Sequence, residues 1–198
     1  RLALARLGVA PDPDSTRHGS DVARYALAVG DATTSEHVES LFAVGALSRD
    51  DLPELDWLRA LATMALRRGH ALKALRHALA LSTAWTRTPQ GPNSVDAQRD
   101  RLLIGRAHLA AGEHEPALEE ALAVITATEA LGGAAAAVEG SARALAGDVL
   151  LAMDRADRAL EAYAKAEDRF AQAADQPAMW RQALNRAAAS LRLGHAAG

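Results

Sequence analysis

The residues of this chain whose side chains could do chemistry are seven histidines, Ser141 and a scatter of carboxylates. Metal binding would need ligands brought to one face, as two histidines one helical turn apart would be. The nearest pairs, His70 with His77 and His108 with His114, do not have that spacing, and no carboxylate completes either as a site. A serine nucleophile of the Gly-x-Ser-x-Gly kind is also absent, because Ser141 stands in VEGSARALAG. No glycine-rich loop suited to a phosphate joins a strand to a helix. Glu113 and Glu115 fall in a polar turn, with nothing to pair an acid and a base in an apolar setting. With no cysteine, thiolate chemistry and disulfides are excluded. The chain reads as non-catalytic, with no metal and no cofactor expected.

The elements that would position any site are helical. Of 198 residues, 49% are hydrophobic but only 4% aromatic. The apolar share is mostly Ala and Leu, the strongest helix formers among apolar residues. A net charge of -3 argues against general nucleic-acid affinity. No apolar run is read as approaching the roughly 20 residues of a membrane-spanning helix, and a cytoplasmic location is expected. The opening RLALARLGVAPDPD lacks a signal-peptide layout, and the chain reads as part of a longer polypeptide.

Three segments share one grammar: LATMALRRGHALKAL (61–75), IGRAHLAAGEHEPAL (104–118) and AGDVLLAMDRADRAL (146–160). A small residue (Ala62, Gly105, Gly147) is followed by a turn residue (Gly69, Gly112, Asp154), then by a second small residue (Ala74, Ala117, Ala159). The turn residues stand 43 and 42 apart, and fainter copies end at Gly30 and Gly194. Such periodicity marks stacked helical hairpins. In the third unit Asn93 or Ser94 caps the first helix, Gly112 takes the left-handed position that ends it, and Pro116 lies in the first turn of the next. Leu118, Leu122 and Ile125 mark the apolar face of that second helix, with Glu115, Glu119 and Glu120 opposite. A glycine inside a helix costs about 1 kcal/mol relative to alanine, so Gly105 implies a close crossing: Ala62, Gly105 and Gly147 are expected to meet Ala74, Ala117 and Ala159. Trp57 and Trp180 read as core, Trp85 as either a hairpin cover or a projection towards a partner. The break TRTPQGPNS (86–94) reads as a connector, with the lip of a groove as the alternative.

This pattern resembles the tetratricopeptide repeat. Gly147, Ala159, Tyr163 and Ala166 take that family's Gly, Ala, aromatic and Ala places, and Ile104-Gly105, Gly112 and Ala117 do so in the preceding unit. The period exceeds the usual 34, as in the long-period arrays of kinesin light chain and of bacterial transcriptional regulators and signalling ATPases. The Ala-, Leu- and Arg-rich composition favours the bacterial setting. The resemblance implies an all-α, right-handed α-α superhelix of about five hairpins, the last incomplete. Residues 1–19 are expected to hold the end of an upstream helix and a linker. Residues 20–198 form the repeat domain, in units of about 20–49, 52–88, 94–131, 134–173 and 176–197.

The family's concave face, carried over by alignment, selects Arg17, Arg24, Asp56, Arg59, Thr63, Arg67, Arg99, Leu102, Arg106, Ala110, Ser141, Ala144, Asp148, Arg181, Leu184 and Arg192. Most of the charged members are arginine, which grips carboxylates with two prongs. The resemblance therefore implies a scaffold that binds an acidic protein or peptide segment in a basic groove, within a larger bacterial regulatory protein. A ligand-sensing or self-associating domain of a transcriptional regulator is the alternative, and an accessory domain of an enzyme the third reading. Direct nucleic-acid and membrane binding are not expected. A homo-oligomer formed through the open last hairpin is allowed. The Lys/Asn pattern of the chaperone-binding carboxylate clamp is not reproduced.

Overall fold

The structure, a computed structural model, describes residues 54–194. Residues 1–19, the unit 20–49, Arg17 and Arg24 lie outside them. Among the described residues there are seven α-helices and no strand. In chain order they are α1 (Glu54–Arg67), α2 (Ala71–Trp85), α3 (Val95–Ala110), α4 (His114–Leu131), α5 (Ala136–Ala152), α6 (Ala156–Gln172) and α7 (Gln176–Arg192). A short 3-10 turn, Gly132–Ala135, joins α4 to α5.

One turn recurs. Gly69, Gly112, Asp154 and Ala174 all have positive φ, at 72°, 78°, 59° and 55°. The residue after each donates its N–H to a carbonyl five residues back: His70 to Ala65, Glu113 to His108, Arg155 to Leu150 and Asp175 to Phe170, at 2.8–2.9 Å. These bonds satisfy carbonyls that a helix end otherwise leaves without partners. A Cβ at Gly112 would touch nothing within 4 Å, so that glycine is there for its backbone angle and not for space. Two starts also have side-chain caps: Ser94 accepts from the Ala97 N–H at 3.3 Å, and Asp175 from that of Ala178 at 3.1 Å.

Each helix packs on the next, and α3 also touches α1 and α5. The buried clusters follow the same order. Ala62, Ala78, Leu81, Trp85 and Ile104 join α1, α2 and α3; Leu102, Ala121, Val124, Leu145 and Val149 join α3, α4 and α5; Ala159, Tyr163 and Ala189 join α6 and α7. The core is therefore a seam running along the helix pairs.

The small residues lie in this seam, Gly105 beside its expected partner Ala117, the others with different nearest neighbours. Ala62 clusters with Ala78, while Ala74 meets Ala65 and Ala107. A Cβ at Gly105 would lie 2.8 Å from Leu145 Cδ2 of the following pair, and 3.4 Å from the Ala117 carbonyl oxygen. At Gly147 it would lie 2.5 Å from the Tyr163 ring, which occupies the room glycine leaves. The buried line on α4 is Ala117, Ala121, Val124 and Thr128 with Ile125, and Leu122 is 51% exposed. On α4 close helix approach selects Ala117 and Ala121 for the seam and leaves Leu122 at its margin.

Contrary to the sequence expectation, one stretch, His114–Ala152, is by length and composition apolar enough to cross a membrane, with an 18-residue window of mean hydropathy 1.6. It consists of α4, the Gly132–Ala135 turn and α5, and the two helices fold back against each other. Of the tryptophans, Trp57 and Trp85 are buried, whereas Trp180 is 65% exposed and so does not serve as core.

Candidate binding cleft

The first helices of the successive pairs are α1, α3, α5 and α7, and the sequence places the binding residues on them. Towards the α1 end their charges are internally satisfied. Arg59 donates from Nε to Asp100 Oδ1 at 2.6 Å and from Nη2 to Asp100 Oδ2 at 2.8 Å, with Nη1 on Asp56. Asp100 is buried and also accepts the Trp85 indole N–H at 2.9 Å. This settles Trp85 as interior. Thr63 turns its hydroxyl back to the Arg59 carbonyl, and Arg99 pairs with Asp96 on its own helix. Arg67 is exposed at the end of α1, and Leu102 is buried in the core. These residues clip α1 to α3 or lie on the surface; they do not line a common groove with the rest.

At the other end the fold does gather the expected residues. Arg106 and Ala110 of α3, Ser141, Ala144 and Asp148 of α5, and Arg181 of α7 surround a cleft of about 600 Å³. Leu145 and Phe170 contribute apolar surface, and Asp175, Gln182 and Asn185 complete the α7 side. These last were missed, although register exposes them: Asp175, Ala178, Gln182 and Asn185 recur at one-turn intervals beside Arg181. Leu184 and Arg192 do not line the cleft.

The electrostatics are mixed. The Arg106 guanidinium is pulled below its ordinary value, first by desolvation; Asp148 opposes this and the like charge of Arg181 adds to it. The Asp148 carboxyl is pushed up by desolvation, against the hydrogen bond it accepts from the Tyr163 hydroxyl at 2.8 Å and the charge of Arg106. Tyr163, itself buried, is raised by desolvation and by Asp148. Two arginines thus face two carboxylates, Asp148 and Asp175, and Asp175 is already used as a helix cap. The basic cluster expected from sequence narrows in this cleft to Arg106 and Arg181.

Most other arginines near helix contacts are committed. Arg101 holds Glu120 at 2.7 Å, Arg143 bridges Glu129 and Glu139, Arg169 reaches Glu139 at 2.9 Å, and Arg186 approaches Glu167 at 3.3 Å. Arg106 and Arg181 make no such direct pair among the described residues.

The 86–94 connector is an ordered turn. Thr88 accepts from the Gly91 N–H and donates to the Trp85 carbonyl, while Ser94 donates to the Gly91 carbonyl. Pro92 and Asn93 wall a cavity of about 230 Å³, and Gln98 Nε2 donates to the Pro92 carbonyl at 2.9 Å. Among the histidines, His108 meets Glu113 at 2.6 Å and does not meet His114. No group of three His, Asp or Glu side chains able to hold a metal is found among the described residues.

No protein-family model matches the chain, and no curated protein matches it.

Proposed function

We propose that this chain is a tetratricopeptide-like helical repeat module, a right-handed solenoid in form. In this reading it binds an acidic peptide segment, without catalysis, in the cleft between α3, α5 and α7. The observation that carries the reading is the contrast in arginine use. Arg59, Arg101, Arg143 and Arg169 are spent on carboxylates of neighbouring helices, whereas Arg106 and Arg181 line a cleft without a direct carboxylate partner. Two guanidiniums that make no direct ion pair, beside Leu145 and Phe170, suit an extended segment that alternates acidic and apolar side chains. The recurring left-handed turn and the pair-by-pair core support the repeat reading. A setting in the cytoplasm, within a larger bacterial regulatory protein, belongs to the same proposal and rests on the repeat period and the composition.

Fluorescence anisotropy with labelled peptides of alternating Leu and Glu, and of alternating Leu and Lys, tests it. The acidic peptide is expected to bind the wild type at least tenfold better than the basic one, and Arg106→Glu with Arg181→Glu to abolish that preference. Equal binding of both peptides by the wild type, or an acidic preference that survives the double substitution, would overturn the reading.

A further inference from the structure

The connector 86–94 walls one side of a second cavity, which shares no residue with the cleft of Arg106 and Arg181. It lies between two helix pairs, with α2 on one side and α3 and α4 on the other. Leu79, Trp85, Pro92 and Ile104 give it an apolar lining, and its volume is about 230 Å³. One water takes up roughly 30 Å³ of the liquid, and an apolar cavity of roughly 150 Å³ holds benzene. The space therefore admits a body larger than a single aromatic ring.

Gln98 gives that space a polarity. Its side chain lines the cavity, on a residue only 2% exposed. Nε2 donates to the Pro92 carbonyl, which settles which end of the amide is oxygen, since Oε1 has no proton to give there. Oε1 itself is buried and accepts no hydrogen bond. Buried polar groups in folded proteins nearly always have a partner. The Trp85 indole cannot serve as one, because its N–H is committed to Asp100, so that residue offers only ring surface to the cavity. A guest that carries an N–H or O–H to Oε1 supplies what the protein does not. Pro92 and Asn93, exposed connector residues beside Gln98, are the part of the wall that can yield to let such a donor in.

The charges in the wall cancel. Arg101 and Glu120 both line the cavity and hold each other at 2.7 Å, and no other lining residue is ionisable. A charged guest would give up its hydration here without gaining a counter-ion. We propose that this cavity binds a compact, uncharged, mainly apolar small molecule whose N–H or O–H group donates to Gln98 Oε1.

The test titrates the full chain with indole and follows the Gln98 side-chain amide and the Trp85 indole N–H in proton–nitrogen NMR correlation spectra. Both signals are expected to shift and to saturate. Benzofuran, which has the same shape with an oxygen in place of the N–H, should bind at least tenfold more weakly. The cation tryptamine and the anion indole carboxylate should do so too. Gln98→Met keeps the length of the side chain and removes the acceptor, so it should bring indole and benzofuran to equal affinity; their ratio reads the acceptor even where the melting point falls. Ser82→Trp, at a partly exposed position of the wall, should fill the space and abolish indole binding with unchanged melting. Equal affinity of the wild type for indole and benzofuran overturns the proposal, as does a preference for indole that survives Gln98→Met. So do shifts that never saturate, which would leave water as the occupant, tighter binding of either charged probe than of indole, or indole binding retained by Ser82→Trp.

Discussion

Arg59 and Asp100, 41 residues apart, meet through two parallel hydrogen bonds of 2.6 and 2.8 Å that join α1 to α3. The carboxylate is buried and holds the Trp85 indole as well, so one side chain fixes three helical segments. Replacing Asp100 with Ala leaves the indole N–H and a half-buried guanidinium without their acceptor, and is expected to cost about 2–4 kcal/mol in urea unfolding. Asp100→Asn retains an acceptor and should cost about half as much. Equal losses would mean that the carboxylate charge, which both variants remove, accounts for the whole effect at this junction.

Gly147 and Gly105 respond differently to an added methyl. At Gly147 the methyl would press on the face of Tyr163, a ring 1% exposed and tied by its hydroxyl to Asp148. Gly147→Ala is therefore expected to destabilise by about 1–3 kcal/mol. At Gly105 the nearest atom is the end of the Leu145 side chain. A small shift there, offset by a helix-propensity gain of about 1 kcal/mol, should leave Gly105→Ala near neutral, while Gly105→Leu should cost about 1–3 kcal/mol. Thermal denaturation of the three variants checks the order.

Ala174 carries a side chain at φ 55°, where three other turns place Gly69, Gly112 and Asp154. Left-handed backbone costs a non-glycine residue on the order of 1 kcal/mol. Ala174→Gly is thus expected to raise stability by up to about 1 kcal/mol, and Gly112→Ala to lower it by about that much. The midpoints in chemical denaturation should move in opposite directions.

The Asp148 carboxyl has its pKa raised in the folded protein, chiefly by desolvation. Folding therefore favours its protonated form. The penalty for keeping it ionised is present above the folded pKa, shrinks as pH falls through it, and is absent below the unfolded value. Asp148→Asn should accordingly gain stability over wild type at neutral pH, with the gain vanishing in acid. The same variant leaves Arg106 and Arg181 with one carboxylate fewer nearby, so it should bind the acidic peptide about threefold or more tightly at pH 7. A titration of affinity for both proteins measures this.

Sequence spacing carried the turn chemistry, because a left-handed residue needs only its own backbone: Gly69, Gly112 and Asp154 stand where the repeat puts them. It also carried one cap, since Ser94 bonds to Ala97, a near neighbour. What escaped it depended on distant partners. Arg59 looked available to a ligand because Asp100 lies in the next helix pair, and the Tyr163 ring against Gly147 went unseen because no local rule places it there. Hydrophobic size misled as well. In helices packed this tightly Ala117 and Ala121 mark the core, while Leu122, Leu184 and Trp180 lie outside it. Of the cleft, Arg106, Asp148 and Arg181 were legible because first-helix positions repeat with the unit. Phe170 and Asp175 were not, since they come from a second helix and a cap.

The bond between Tyr163 and Asp148 gives the cleft its own reporter. One phenol, in a chain with only two tyrosines, reaches from the wedge beneath Gly147 to a carboxylate on the cleft wall. Anything that draws Asp148 towards a guest changes the partner of that hydroxyl. Occupancy would then register in the resonance of a single hydroxyl proton, without a dye, a tag or an added label.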